Sequence, residues 1–232
     1  MGIRAVFFDL GGTLLVMRRD RIFRRVLSEQ GREASLERIH SAYMNAESWW
    51  LSAFGQKVMT PEQTNEAYRE LDERTFASLY PNEGTEAVRV SKVVRKRWPE
   101  LESEIPLELY PDVDPTLTKL AKDGYFLGLI SNAPPDTARV VQVLGLRKYL
   151  SSVIISGDVG YTKPHPEIFR IALREAGVDP ADALHVGDFY EADIIGARNA
   201  GIKGLLIDRE GSHSGLDCPR MKSLGEVYHY LE

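Results

Sequence analysis

Five short apolar runs, each ending on a polar residue, constrain what this chain can fold into. Ile3 to Phe8 runs into Asp9, Tyr125 to Ile130 into Ser131, Val153 to Ile155 into Ser156, Ala183 to Val186 into Gly187 and Asp188, and Gly204 to Ile207 into Asp208. Near-continuous apolar runs of this length suit strands buried on both faces. Helical patterns separate the later ones. Asp114 with Pro115 reads as an N-cap and first helical residue with Gly124 as the stop, and Pro166 to Ala176 and Glu191 to Ala200 are each followed by glycine. Strand and helix alternating in this way predict an α/β fold with a parallel sheet, whose ligands bind outside the carboxyl ends of the strands. The polar residues that close the runs fall at those ends.

The stretch from Met17 to Pro106 has a different period. Leu36, Ile39, Tyr43, Ala46 and Trp50 recur at spacings of three and four, and Tyr68, Leu71, Thr75 and Leu79 continue the pattern after Thr60, Pro61 and Gln63, which resemble a capping box. The expectation is a helical domain over 17–106, inserted into an α/β domain formed by 1–16 and 107–232 and able to sit over the strand ends as a lid. The basic run Arg18, Arg19, Arg21, Arg24 and Arg25 reads as one solvated helix face. Of the adjacent Trp49 and Trp50, the second is expected in the helical core. The segment Gly211 to Pro219 reads as a loop.

Composition narrows the class. With 43% hydrophobic and 27% charged residues, neither a disordered chain nor a membrane-embedded one is favoured, and no apolar run approaches the length of a span. The net charge of -5 argues against a general nucleic-acid binder. A single cysteine, Cys218, excludes an internal disulfide and a Cys-rich zinc site. The N-terminus lacks the features of a secretory leader and of a myristoylation signal, so the expected location is the cytoplasm. Oligomeric state is left undecided.

Four stretches in order, FFDLGGTL, LGLISNA, YTKPHPEIF and HVGDFYEADIIGARNAG, resemble the motifs of the haloacid dehalogenase superfamily, in the branch with a helical cap inserted after the first motif. The resemblance covers residues 1 to 16 and about 107 to 210. It implies a Rossmann-like three-layer core, with Asp9 as the nucleophile that forms an aspartyl intermediate. Ser131 would hydrogen-bond a phosphoryl oxygen, Lys163 would neutralise charge between nucleophile and phosphoryl group, and Gly12, Thr13 and Asn132 would shape the substrate pocket. The substrate would be a small-molecule phosphate, selected by the cap.

Asp9, Asp188 and Asp193 converging on a dianionic phosphate would repel strongly, by roughly 4 kcal/mol for two charges about 4 Å apart at an effective dielectric near 20. One lysine does not balance that. Mg2+ is therefore the expected cofactor, with Asp9, Asp188 and, as the resemblance implies, the Gly11 backbone carbonyl as ligands, while Asp193 orients water or Lys163. In the family's phosphatases the residue two after the nucleophile is usually the Asp that protonates the leaving oxygen; this chain has Gly11. General acid catalysis is worth about 100- to 10,000-fold, so the expected function is a Mg2+-dependent phosphatase weakened toward poor leaving groups. Two alternatives stand beside it. A 2-haloacid dehalogenase needs no acid, since halide leaves unprotonated, but the family's dehalogenases work without metal and lack a GD followed by a second Asp. A catalytically silent phosphate-binding or protein-binding module is the other. A phosphonatase would need a Schiff-base lysine such as Lys57, for which no motif speaks. The Gly211 to Gly215 loop with Ser212, His213 and Ser214 is no nucleophile elbow, and neither a Walker loop nor a dinucleotide fingerprint is present.

Overall fold

The computed structural model describes residues 2–16, 19–54, 61–209, 211 and 215–232. Arg18, Lys57, Thr60, Ser212, His213 and Ser214 lie outside the described residues. The chain divides into two compact units, one of Met1–Val16 with Glu108–Glu232 and one of Met17–Leu107.

The first unit is a six-stranded, fully parallel sheet in the order β3-β2-β1-β4-β5-β6. Its strands are β1 (Ala5–Phe8), β2 (Phe126–Ser131), β3 (Ser152–Ile155), β4 (Ala183–Gly187), β5 (Lys203–Ile207) and β6 (Arg220–Met221). The first five coincide with the apolar runs to within two residues at either end. β6 is a two-residue strand that follows the expected loop, too short to leave a period in the sequence. The sheet has apolar cores on both faces, so the fold is the expected three-layer α/β arrangement. On one face Val6, Phe8, Leu129 and Val186 pack with Val113 and Leu117; on the other Ala5, Phe7 and Ile130 pack with Ile168, Phe169 and Ala172.

Strand β1 is central, with β2 on one side and β4 on the other. The strand order turns there, so the carboxyl end of β1 opens at the crevice where such sheets bind ligands. The chain leaves this unit after Val16 and re-enters at Glu108 side by side, joined by Val16 N–H to Glu108 O at 2.8 Å.

In the second unit, helices α1 (Arg19–Glu29), α2 (Leu36–Phe54), α3 (Pro61–Leu79) and α4 (Gly84–Glu104) enclose a core of Ile22, Phe23, Ile39, Phe76, Val90 and Val94. The periodic residues Ile39, Tyr43, Ala46, Trp50, Leu71, Thr75 and Leu79 are buried. Trp50 stacks on Tyr68 at 5.3 Å, and Trp49 carries the Arg74 guanidinium at 3.4 Å.

The basic run is not one solvated face. Arg24 and Arg25 are exposed, but Arg19 is largely buried, 3.4 Å from Asp72, with its guanidinium over the rings of Tyr43, Tyr68 and Trp98. Arg95 meets the other oxygen of the same buried Asp72 at 2.5 Å.

In the α/β unit the later helices are α5 (Val113–Lys122), α6 (Thr137–Val143), the single turn α7 (Ser156–Val159), α8 (Pro166–Ala176) and the short α9 (Gly196–Asn199). Helix α8 has the expected bounds: Pro166 opens it, the His165 ring accepts the Glu167 N–H, and Gly177 ends it at φ 62°. Helix α5 starts earlier than the Asp-Pro pair suggests, with Asp112 at the N-cap position and Asp114 in the first turn. The stretch read as one helix from Glu191 to Ala200 is a wide π-type turn over Tyr190–Ile195 that tightens into α9.

Candidate active site

The site is built at the carboxyl ends of β1, β2 and β4. Asp9 follows β1, and its N–H donates to Val186 O of β4 at 2.9 Å, which continues the strand pairing up to the carboxylate. The next residues form a tight loop: Gly12 N–H donates to Leu15 O (2.8 Å), and Leu14 N–H and Leu15 N–H both donate to Leu10 O (2.9 and 2.7 Å). The Gly12 N–H is thus used within the loop rather than offered to an anion.

The reason for glycine at position 12 is visible twice. Its φ is +76°, where side chains are disfavoured, and a Cβ would stand 1.9 Å from Asp188 Oδ2. Gly12 therefore opens the space that Asp188 occupies. Thr13 is fully buried, and its hydroxyl faces Asp188 Oδ1 at 3.5 Å.

Lys163 is buried to 2% exposure, an unusual place for an ammonium. Its Nζ donates to Asp9 Oδ1 at 2.7 Å and to Asp193 Oδ1 at 2.5 Å. The backbone beneath it is clamped by one amide: Asn132 Nδ2 donates to Lys163 O (2.9 Å) and Asn132 Oδ1 accepts the Lys163 N–H (2.7 Å). Asn132, expected to touch substrate, spends both ends of its amide on placing Lys163. Ser131 ends β2 beside β1 and is buried.

Asp193 accepts three hydrogen bonds. Its Oδ1 accepts from Lys163 and from His185 Nε2 (2.9 Å), and its Oδ2 accepts the Phe189 N–H (3.0 Å). Gly187 leaves room for this carboxyl, since a Cβ there would lie 2.1 Å from Asp193 Cγ.

The charges follow from these contacts. Burial alone would raise the Asp193 carboxyl, but Lys163 and His185 more than reverse it and hold it well below the usual carboxylate range. Asp9 keeps only a share of Lys163; burial pushes it up to about 6 against the pull of that lysine, and the neighbouring Asp193 adds to the rise. Burial opposes the charge on Lys163, yet Asp193 and Asp9 together raise its pKa above that of a free lysine. Burial lowers the His185 pKa, although Asp193 pulls the other way.

Asp9, Asp188 and Asp193 can each offer a carboxylate oxygen within 4.8 Å of the others. Three carboxylates face one ammonium here, so the donor set is hard, oxygen-rich and short of positive charge, which suits a divalent cation such as Mg2+. Asp193 is committed to three donors, while Asp9 and Asp188 bring their carboxylates to the same cluster.

Of the residues expected from sequence, Asp9, Thr13, Lys163, Asp188 and Asp193 converge, Gly12 makes the space, and Asn132 supports from behind. Two residues escaped the sequence reading. His185 interrupts an apolar strand, and its parity with Gly187 is the one signal it gives. Arg209 follows β5 and donates to Thr13 O in the loop after Asp9 at 2.7 Å; nothing in its local sequence marks it.

Comparison with known proteins gives the family. The model of a haloacid dehalogenase-like hydrolase family matches residues 3–201. A phosphoserine phosphatase of Thermus thermophilus is 30% identical over 234 residues, 89% of each chain. Among solved structures, a HAD phosphatase from Thermococcus onnurineus aligns with a TM-score of 0.59 at 26% identity, covering 98% of this chain and 97% of that one. A 2-haloacid dehalogenase from Pseudomonas syringae pv. Tomato aligns with a TM-score of 0.58 at 26% identity, covering 99% and 98%. The chain spans about half the length of several further relatives it matches. A family match over most of the chain, on a sheet whose strand ends gather Asp9, Lys163, Asp188 and Asp193, makes this protein a member of the haloacid dehalogenase-like hydrolases.

Proposed function

We propose that the protein is a Mg2+-dependent phosphatase acting on a small-molecule phosphate monoester. The observation that carries this is the buried Lys163 ammonium shared between Asp9 and Asp193, with Asp188 beside them. A phosphoryl group brought to Asp9 would find an ionised nucleophile with a cation at 2.7 Å and a strand-end hydroxyl, Ser131, as donor. The Thermus phosphoserine phosphatase, similar along nearly the whole chain, supports the same reaction class.

An Asp9 oxygen attacks phosphorus, the bond from phosphorus to the leaving oxygen breaks, and its electron pair departs with that oxygen. Water then attacks the phosphorus of the aspartyl phosphate, releasing inorganic phosphate and returning the Asp9 carboxylate. Lys163 balances charge on the nucleophile throughout. Mg2+, held by Asp9, Asp188 and the Gly11 carbonyl, would neutralise phosphoryl charge as a Lewis acid. Gly11 has no side chain to hand the leaving oxygen a proton, so the substrates that suit this site have leaving groups stable as anions.

The test is hydrolysis of acetyl phosphate and p-nitrophenyl phosphate, with Mg2+ and with EDTA, by the parent protein and Asp9→Asn. Turnover that needs the metal and is lost in the variant is expected. Full turnover by Asp9→Asn would overturn the covalent mechanism. The second reading is dehalogenation, favoured by Gly11 alone: chloride release from 2-chloropropionate, unaffected by EDTA and without phosphatase turnover, would replace the first.

A further inference from the structure

Strand β4 carries one polar side chain into a largely apolar layer. His185 is fully buried, lies between Phe7 of β1 and Gly204 of β5 in the sheet register, and meets the Phe169 ring edge to face at 5.1 Å. Alternation along the strand puts it on the face where Ala5, Phe7, Ile168 and Phe169 pack. Only one of its ring nitrogens is used. Nε2 lies 2.9 Å from Asp193 Oδ1, while Nδ1 has no hydrogen-bonding partner among the described residues. A leucine or phenylalanine could occupy this apolar layer without leaving an unpaired acceptor, whose burial is costly.

What Nε2 touches explains the histidine. Asp193 Oδ1 also receives Lys163 Nζ, and Lys163 reaches on to Asp9. An ionised carboxylate only accepts and an ammonium only donates, so the hydrogen between His185 and Asp193 belongs to the imidazole. The ring is therefore the Nε2–H tautomer. Without that second donor, Asp193 Oδ1 has Lys163 alone to satisfy it, and the ammonium is drawn from Asp9 toward Asp193.

We infer that His185 is a positioning residue: its Nε2–H fixes the Asp193 carboxylate so that Lys163 stays shared with Asp9. Its effect on turnover rests on the phosphatase reading above; its effect on the Lys163 to Asp9 contact does not. Three variants separate this role from ring packing. His185→Gln places an amide N–H where Nε2 stands, whereas His185→Phe keeps a ring and His185→Leu keeps apolar bulk, both without a donor.

The experiment combines nitrogen-15 NMR of the histidine ring in metal-free protein, crystal structures of the Gln and Phe variants, and steady-state kinetics on p-nitrophenyl phosphate. Expected are the Nε2–H tautomer in the parent, a Lys163 to Asp9 contact retained in His185→Gln and lengthened in His185→Phe, and kcat reduced roughly 10- to 100-fold by Phe and Leu but restored to within a few fold by Gln, the range usual for groups that orient a reacting residue's partner. An Nε2 that carries no hydrogen, an unchanged Lys163 to Asp9 contact in His185→Phe, or equal loss in Gln and Phe would each overturn the inference. Should the parent turn over no phosphate ester, the phosphatase reading fails by itself, and the tautomer and the two crystal structures still decide the role of His185.

Discussion

Two residues in the loop after β1 make opposite demands, and both can be tested at the level of a single side chain. Gly11 predicts a steep dependence of turnover on leaving-group acidity, with acyl and aryl phosphates well ahead of alkyl phosphates; Gly11→Asp should raise rates on alkyl phosphates selectively, and equal rates across the parent's series with chemistry limiting would mean that another group delivers the proton. Asp9 makes a prediction about stability. Its carboxyl is raised to about 6 by burial, so the folded state holds its proton more tightly than the unfolded chain does. A raised acid costs stability as pH climbs from the unfolded carboxylate range through about 6, and above that the cost is constant, roughly 3 kcal/mol for this rise. In EDTA, Asp9→Asn should therefore unfold at higher urea than the parent at about pH 8, with the difference shrinking toward about pH 4, where the folded carboxyl is protonated. Equal midpoints at both pH values would show that Lys163 alone compensates the buried charge. The candidate cluster was legible where a polar group closed an apolar run, as with Asp9 and Asp188, which the fold brings together. The clamp that Asn132 places on the Lys163 backbone left no sequence signal, because its partner lies 31 positions away.

At the scale of elements, the strands were readable because burial on both faces removes polar residues from them, and β6 was not because two residues carry no period. Helix α1 shows a different limit. A run of arginines on an amphipathic pattern predicts a solvated face, yet Arg19 turns inward because an acid on α3 and aromatic rings on α2, α3 and α4 receive it. That partnership spans 53 positions of sequence and leaves no local trace. Arg19 of α1 and Arg95 of α4 both face Asp72, which is 1% exposed at its side chain. Removing the acid strands two guanidinium groups in the helical core, so Asp72→Asn should cost about 3–5 kcal/mol, the usual range for a buried ion pair broken on one side. Adding Arg95→Met to Asp72→Asn should recover part of that loss, as one of the stranded charges goes with it. Urea unfolding of both variants checks this; a loss below about 1 kcal/mol for Asp72→Asn would mean that other groups already balance the arginines.

At the scale of the whole α/β unit, the loop after β1 is held by residues that the chain brings from far apart. Arg209, just past β5, donates to Thr13 O at 2.7 Å and to both oxygens of Asp112 at 2.9 and 3.1 Å, and lies over the Tyr110 ring at 3.7 Å. Asp112 in turn accepts the Leu224 N–H at 2.7 Å, which ties in the C-terminal segment. Burial would raise the Asp112 carboxyl, but Arg209 and that N–H outweigh it and hold the carboxyl below the usual range. A depressed acid adds stability that is present above the unfolded carboxylate pKa and is lost as pH falls through the folded value. Asp112→Asn should thus be less stable than the parent near neutral pH, by about 1.5–3 kcal/mol for a charged hydrogen bond lost, with the gap closing in acid below the ordinary carboxylate range. Arg209→Met should lose a similar amount and also release Thr13 O, whereas Asp112→Asn leaves that bond in place. If the guanidinium merely clips the unit together, both variants will keep the parent's kcat at temperatures where they are fully folded. If it sets the loop that carries Asp9 and Gly12, Arg209→Met alone will lose kcat there. The second outcome is expected, since the hydrogen bond that Arg209→Met loses and Asp112→Asn keeps ends on the loop itself.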